Sequence, residues 1–178
     1  MKIKELTDEQ LMESFASQND EVAFGQLYRK YFPMMSKYLG WQLHDPEKGK
    51  DLAQNIFLKI YQKSSLFDTS KNFKVWLFII AKNQMKNELR NEAIRSKHLE
   101  NIAILPTNEN EEKADHTQRL QQLKTELAQL SENHREVFVL KYSNNLTLQE
   151  ISEICNCSVG TVKSRLFYAL QKLKNKLR

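Results

Sequence analysis

What most limits the fold of this chain is a shortage of residues that let a backbone turn. Its 178 residues include four glycines and three prolines, too few for a protein of sheets and hairpins, which draws on both at its turns. The same scarcity nearly excludes a glycine-rich phosphate loop. Between the few breaks, apolar residues recur every three or four positions, the period of a helix buried along one side. The chain therefore reads as all-α.

Composition removes several functional classes. Charged residues make up 28% of the chain, and no apolar run approaches the roughly 20 residues of a membrane span. The opening MKIKELTDEQ lacks the apolar core of a signal peptide, so a cytoplasmic protein without membrane insertion is expected. Cys155 and Cys157 are too close for an ordinary disulfide and have no second pair to make a zinc site. His44, His98, His116 and His134 are scattered without ligand or triad spacing, and no HExxH, Walker or dinucleotide motif occurs. No metal, no cofactor and no catalytic residue is expected.

The net charge of +5 favours a polyanionic partner, and its distribution is informative. Residues 1–96 carry 15 basic and 12 acidic side chains, residues 97–118 two and five, and residues 119–178 ten and five. The middle piece has Pro106, little periodicity and an acidic run over 109–115, a linker composition. Two small helical domains, 1–96 and 119–178, joined by a flexible acidic linker at 97–118, are the expected organisation.

In the first module, Thr7 and Gln10 form a capping-box pattern, and Asn19 is placed to cap the next helix. That helix carries Phe24, Leu27, Tyr28, Tyr31, Met35, Tyr38 and Leu39 on one stripe, with Pro33 expected to bend or break it. In KDLAQNIFLKIYQK, Leu52, Ala53, Ile56, Phe57 and Ile60 share one face, and Asp51, Gln54, Asn55, Leu58 and Lys59 the other. Leu58 fits either a lone exposed leucine or a contact for a partner helix framed by Asp51 and Gln54. Residues 76–81 are six apolar positions in a row, expected to be buried on every side. Beyond them Lys82, Lys86 and Arg90 recur every four residues beside Asn83. Such a stripe fits a solvated face or a row of phosphate contacts. In the preceding polar loop, Phe67 either plugs the core or stacks on an unpaired base.

The second module is more specific. Leu130, Val137, Phe138, Leu140 and Tyr142 form an apolar stripe after Ser131, a candidate N-cap, and Asn144 and Asn145 suit a tight turn. Thr147 and Glu150 make a second capping box. Leu148, Ile151, Ile154 and Cys155 form a buried edge, Ser152 permits close helix approach, Asn156 suits a left-handed turn, and Ser158 caps the next helix. There Val159, Val162, Leu166, Ala169, Leu170, Leu173 and Leu177 face inward. Gly160, Thr161, Ser164, Phe167, Tyr168 and Gln171 face out, flanked by Lys163 and Arg165. Residues 158–178 hold six cations and no acid. Hydrogen-bonding residues at the centre, cations at the margins and no carboxylate to repel a duplex describe a helix-turn-helix that reads the major groove.

DLAQNIF followed by FKVWLFIIAKN and LR resembles conserved region 2 of bacterial sigma factors. LSENHREVFVLKYSNNLTLQEISEICNCSVGTVKSRLFYALQKLK resembles their region 4. With only these two regions, the chain is similar to the extracytoplasmic function (ECF) group of the sigma-70 family. The resemblance implies that Asp51, Gln54, Asn55 and Leu58 dock on the beta-prime clamp helices of core RNA polymerase, with further contact to the beta subunit. It implies that the loop around 66–72, Phe67 included, and Asn83 capture a flipped base of the −10 promoter element while Lys82, Lys86 and Arg90 hold nearby backbone. Thr161, Lys163, Ser164, Arg165, Phe167 and Tyr168 would read the −35 element, and an anti-sigma factor is an expected further partner. Asn55, Asn156-Cys157 and Tyr168 depart from the usual residues of the family, which are glutamate, glycine with an aliphatic, and a basic side chain. A stand-alone helix-turn-helix regulator would use the second module alone and leave the DLAQNIF face unexplained.

Overall fold

The computed structural model describes residues 6–98, 122–123 and 125–176, and every regular element among them is a helix. The chain divides into two compact units, Met1–Glu88 and Leu89–Arg178.

The first unit is built from α1 (Asp8–Gln18), α2 (Glu21–Leu43), α3 (Pro46–Gln62), a 3-10 turn at Ser64–Leu66 and the first part of α4 (Phe73–His98). α4 runs past the division between the units and into the stretch expected as linker. The rest of that linker, with its acidic run, lies outside the described residues. Thr7 caps α1 in the expected box, but the next cap falls one residue later than expected. Asp20 Oδ1 accepts the N–H groups of Val22 and Ala23 at 3.1 Å, while Asn19 ends α1 at φ 56°. A short amide that tolerates the left-handed region serves a C-terminus as readily as an N-terminus.

Pro33 does not break α2, which is continuous from Glu21 to Leu43. The proline lies on the exposed side, where the carbonyl deprived of its donor can be hydrated, and buried Tyr31 and Met35 hold the helix on either side of it. α2 and α3 pack together through their glycines: a Cβ on Gly49 would lie 2.2 Å from the backbone nitrogen of Gly40. Asp45 and Pro46 start α3, the aspartate accepting from Glu47 and Lys48 N–H groups and the proline standing where no N–H is needed. Leu52, Ala53, Ile56, Phe57 and Ile60 are all buried where α3 packs on α2, and Leu27, Tyr31, Met35 and Leu39 of α2 and Phe73, Leu77 and Phe78 of α4 are buried as well. The apolar run at 76–81 is buried on fewer sides than expected. Leu77, Phe78 and Ala81 are fully covered, but Trp76, Ile79 and Ile80 are only half-buried.

In the second unit a helical turn at 125–128 precedes α5 (Glu132–Tyr142), α6 (Leu148–Cys155) and α7 (Val159–Lys176). Val137, Leu140, Leu146, Ile151, Ile154, Val162, Leu166, Ala169 and Leu173 form its core. Asn156 sits at φ 49° between α6 and α7, where its N–H and that of Cys157 return to Glu153 and Ser152 carbonyls. Asn145 takes the same region before α6, and buried Asn144 donates to the Val139 carbonyl at 3.0 Å. Ser131 precedes α5 but does not cap it with its side chain; the hydroxyl pairs with His134 Nδ1 at 2.8 Å instead. Leu148, Cys155, Phe138 and Val159 are half-buried, and Tyr142 and Leu170 are exposed, so the apolar stripes are narrower than the wheel implied. Leu177 lies outside the described residues.

Candidate functional site

Three surfaces carry the residues singled out above. On α3, Asp51, Gln54, Asn55 and Leu58 are all exposed, opposite the face buried in the core. Leu58 leaves 55% of its surface open while Leu52, Ile56, Phe57 and Ile60 leave 9% or less. Helical spacing therefore gathers a leucine, two amides and a carboxylate on one strip. Lys59, next to this strip, is committed to α4, its Nζ donating to Gln84 Oε1 at 2.7 Å.

The second surface joins the loop at 63–72 to α4. Phe67 belongs to the core: only 7% of it is exposed, and its ring meets Phe73 at 5.5 Å and Trp76 at 5.0 Å. Of the two roles open to it, the structure favours the plug, and a base cannot stack on a ring already covered. The apolar side chain that the loop offers to solvent is its neighbour Leu66, 67% exposed. Asp68 folds the loop tip on itself. Its Oδ1 accepts the Ser70 hydroxyl at 2.7 Å and the Ser70 N–H at 3.0 Å. Those two bonds, led by the hydroxyl, hold its carboxyl below the usual range. The Asp-x-Ser spacing is an Asx-turn signal in the sequence. On α4, Asn83, Lys86 and Arg90 are exposed and Lys82 is half-buried. The stripe covers about 12 Å at 1.5 Å per residue.

The third surface is the outer side of α7. Ser158 caps the helix as expected, its Oγ accepting Thr161 N–H at 3.1 Å and meeting Thr161 Oγ1 at 2.9 Å. Thr161 is consequently half-buried and its hydroxyl engaged, and Ser164 donates to the Thr161 carbonyl at 2.9 Å. Lys163 is exposed. Arg165 is half-buried and folds back toward the turn, Nη1 lying 3.8 Å from Cys157 Sγ. Phe167 and Tyr168 stand out, 61% and 56% exposed, their rings 5.6 Å apart edge to face. Lys172 is exposed as well, its Nζ donating to the Gln129 carbonyl at 2.8 Å. No acidic side chain lies on this helix.

Residues 27–94 match the family model for sigma-70 region 2, and residues 120–173 match that for sigma-70 region 4. The chain belongs to the sigma-70 family. It is 30% identical over 189 residues to the ECF RNA polymerase sigma-E factor of Haemophilus influenzae, covering 98% of this chain and 97% of that one. With the sigma-E factor of Escherichia coli K12 it shares 28% over 185 residues, 98% of this chain and 96% of the other. Among solved structures, the sigma factor RpoE of Bartonella quintana, crystallised with the anti-sigma factor NepR, superposes with a TM-score of 0.70 at 27% identity. The match spans 86% of this chain and 96% of that one.

This sigma factor is of the ECF type: it binds core RNA polymerase and directs promoter-specific initiation through −10 and −35 element recognition. No described helix is long and apolar enough to cross a membrane. Sigma factors are regulatory proteins, not catalysts of the polymerisation they direct, and no group of three potential metal ligands occurs among the described residues.

Proposed function

We propose that the sigma factor divides its work among the three surfaces. The exposed strip of α3, Asp51, Gln54, Asn55 and Leu58, grips the clamp helices of the beta-prime subunit. The observation that carries this is Leu58, the one aliphatic side chain of α3 left open to solvent. A leucine framed by polar groups is the pattern of a small interface core with its rim.

Base capture at the −10 element falls to the loop at 66–72 together with Asn83. Leu66 takes the place of Phe67 as the side chain that meets the unstacked base, and Lys82, Lys86 and Arg90 follow the backbone. α7 reads the −35 element through Thr161, Lys163, Ser164, Arg165, Phe167 and Tyr168, with the exposed aromatic pair against thymine methyl groups or sugars. The two DNA-binding domains correspond to residues 1–96 and 119–178. The acidic linker between them, 97–118, threads the polymerase. The protein works in the cytoplasm and performs no covalent chemistry itself. An anti-sigma factor, as in the Bartonella complex, is its regulatory partner.

The surfaces are separable, and that tests the assignment. Replacing Asp51 and Leu58 with alanine should weaken binding to core polymerase while the chain still binds a −35 duplex. Replacing Arg165 should do the reverse. Loss of both activities in both variants, with folding intact, would refute the division of labour.

A further inference from the structure

Glu9 lies in the first turn of α1, outside the stretch 27–94 that matches sigma-70 region 2, and none of the surfaces above uses it. Its Oε1 accepts the backbone N–H of Phe73 at 3.0 Å, across 64 residues of sequence. Phe73 is the first residue of α4, where leading N–H groups have no partner within the helix. Asn72 serves Val75 in the same turn, Oδ1 to N at 2.9 Å. Glu9 thus caps a helix to which it does not belong, and its negative charge faces the positive end of that helix's dipole.

The cap is itself anchored. The adjacent Asp8 accepts Lys30 Nζ at 2.7 Å and the Tyr31 hydroxyl, fixing the start of α1 to α2. The Tyr31 ring meets Phe73 at 5.4 Å, and Phe73 meets Phe67 at 5.5 Å. α1 also packs on the 3-10 turn Ser64–Leu66. Two neighbouring carboxylates therefore tie α1 to α2 on one side and to the end of the 63–72 loop on the other.

We infer that Glu9 is a positioning residue for promoter opening: by capping α4 from α1, it holds the 66–72 loop in the shape that captures an unstacked −10 base. This rests on the role proposed above for that loop. The test uses the full chain assembled with core polymerase and a fluorescent single-stranded −10 oligonucleotide, made abasic at one position at a time. With the native chain, affinity should drop roughly tenfold at one position, as losing the base that covers the exposed Leu66 side chain implies. Glu9→Ala should lose roughly three- to tenfold on the intact strand and little on the abasic one, with polymerase affinity unchanged. Glu9→Gln keeps the Oε1 acceptor and should retain most of the discrimination. Glu9→Asp, one methylene short of Phe73, should behave like alanine and replaces it if the alanine variant does not fold.

If the native chain shows no position where the base matters, the loop does not capture a base and the inference falls with it. If the native chain discriminates and the Ala and Asp variants discriminate equally well, the loop keeps its role and Glu9 has none. Equal losses on intact and abasic strands would mean that Glu9 only stabilises the fold, and would also overturn the inference.

Discussion

Gly49→Ala should loosen the crossing of α2 and α3 more than a single methyl suggests. A Cβ at this position would lie 2.2 Å from Gly40 N, 2.4 Å from Gly40 Cα and 2.9 Å from the Leu39 carbonyl carbon. Ordinary contact begins near 3.4 Å, so the helices must part by about 1.2 Å (3.4 − 2.2). All three obstacles are backbone, so no side chain can rotate away to make room. Overpacking of this kind costs about 1–3 kcal/mol, here toward the upper end, offset by up to about 1 kcal/mol of helix propensity gained over glycine. The net expectation is a loss of about 2 kcal/mol. Trp41 and Trp76 both lie in the first unit, so urea unfolding followed by tryptophan fluorescence reports it directly. Gly25→Ala is the matched control. Its new Cβ would meet only the Arg29 side chain, at 3.5 Å, so it should gain up to about 1 kcal/mol. If Gly49→Ala proved as stable as the native chain, the close crossing would be refuted.

Phe67→Ala should destabilise the first unit by about 3–5 kcal/mol. Leu66→Ala should leave stability within about 0.5 kcal/mol while weakening single-stranded −10 binding; a swap of these outcomes in melting and fluorescence titrations would place the wrong residue in solvent. Arg165→Ala should cost about 1–3 kcal/mol of −35 binding if it makes a bidentate base contact. Lys86→Ala and Arg90→Ala should each lower the salt slope of −10 binding by about one, and an unchanged slope would return them to a merely solvated face. Asp20 has its pKa lowered by the Ala23 N–H first, then by the Ser14 hydroxyl and the Val22 N–H. Its contribution is whole above the unfolded value of 3.8 and disappears as pH falls through the lower folded one. Asp20→Asn should therefore flatten the acid limb of the stability profile, and an identical limb would deny the cap its role.

The caps and turn of the helix-turn-helix were readable because their signals are local, whereas its apolar stripes proved narrower than the wheel implied. The Thr147–Glu150 box, left-handed Asn156 and the Ser158 cap all involve residues within three or four positions of one another, and all are present as the spacing predicts. The exposed strip of α3 was readable for the same reason, since one periodicity sorts Leu58 from Ile56 and Phe57. What escaped depends on distant parts of the chain. Pro33 is tolerated because of where α2 rests on the core, and Phe67 is covered because Phe73 and Trp76 come to meet it. Glu9 reaches a helix 64 residues away, which no local pattern announces. The Asn19 cap was misplaced by one position because asparagine and aspartate serve either end of a helix junction.

The most direct test of the whole account is run-off transcription with purified chain, core RNA polymerase and a library of promoter fragments. The native chain should yield discrete transcripts that depend on both a −35 and a −10 element. The Asp51/Leu58 double variant should yield almost none, although it still retains the −35 duplex on a gel. A folded native chain that leaves core polymerase unable to start at any fragment, or a double variant that transcribes at full level, would contradict it.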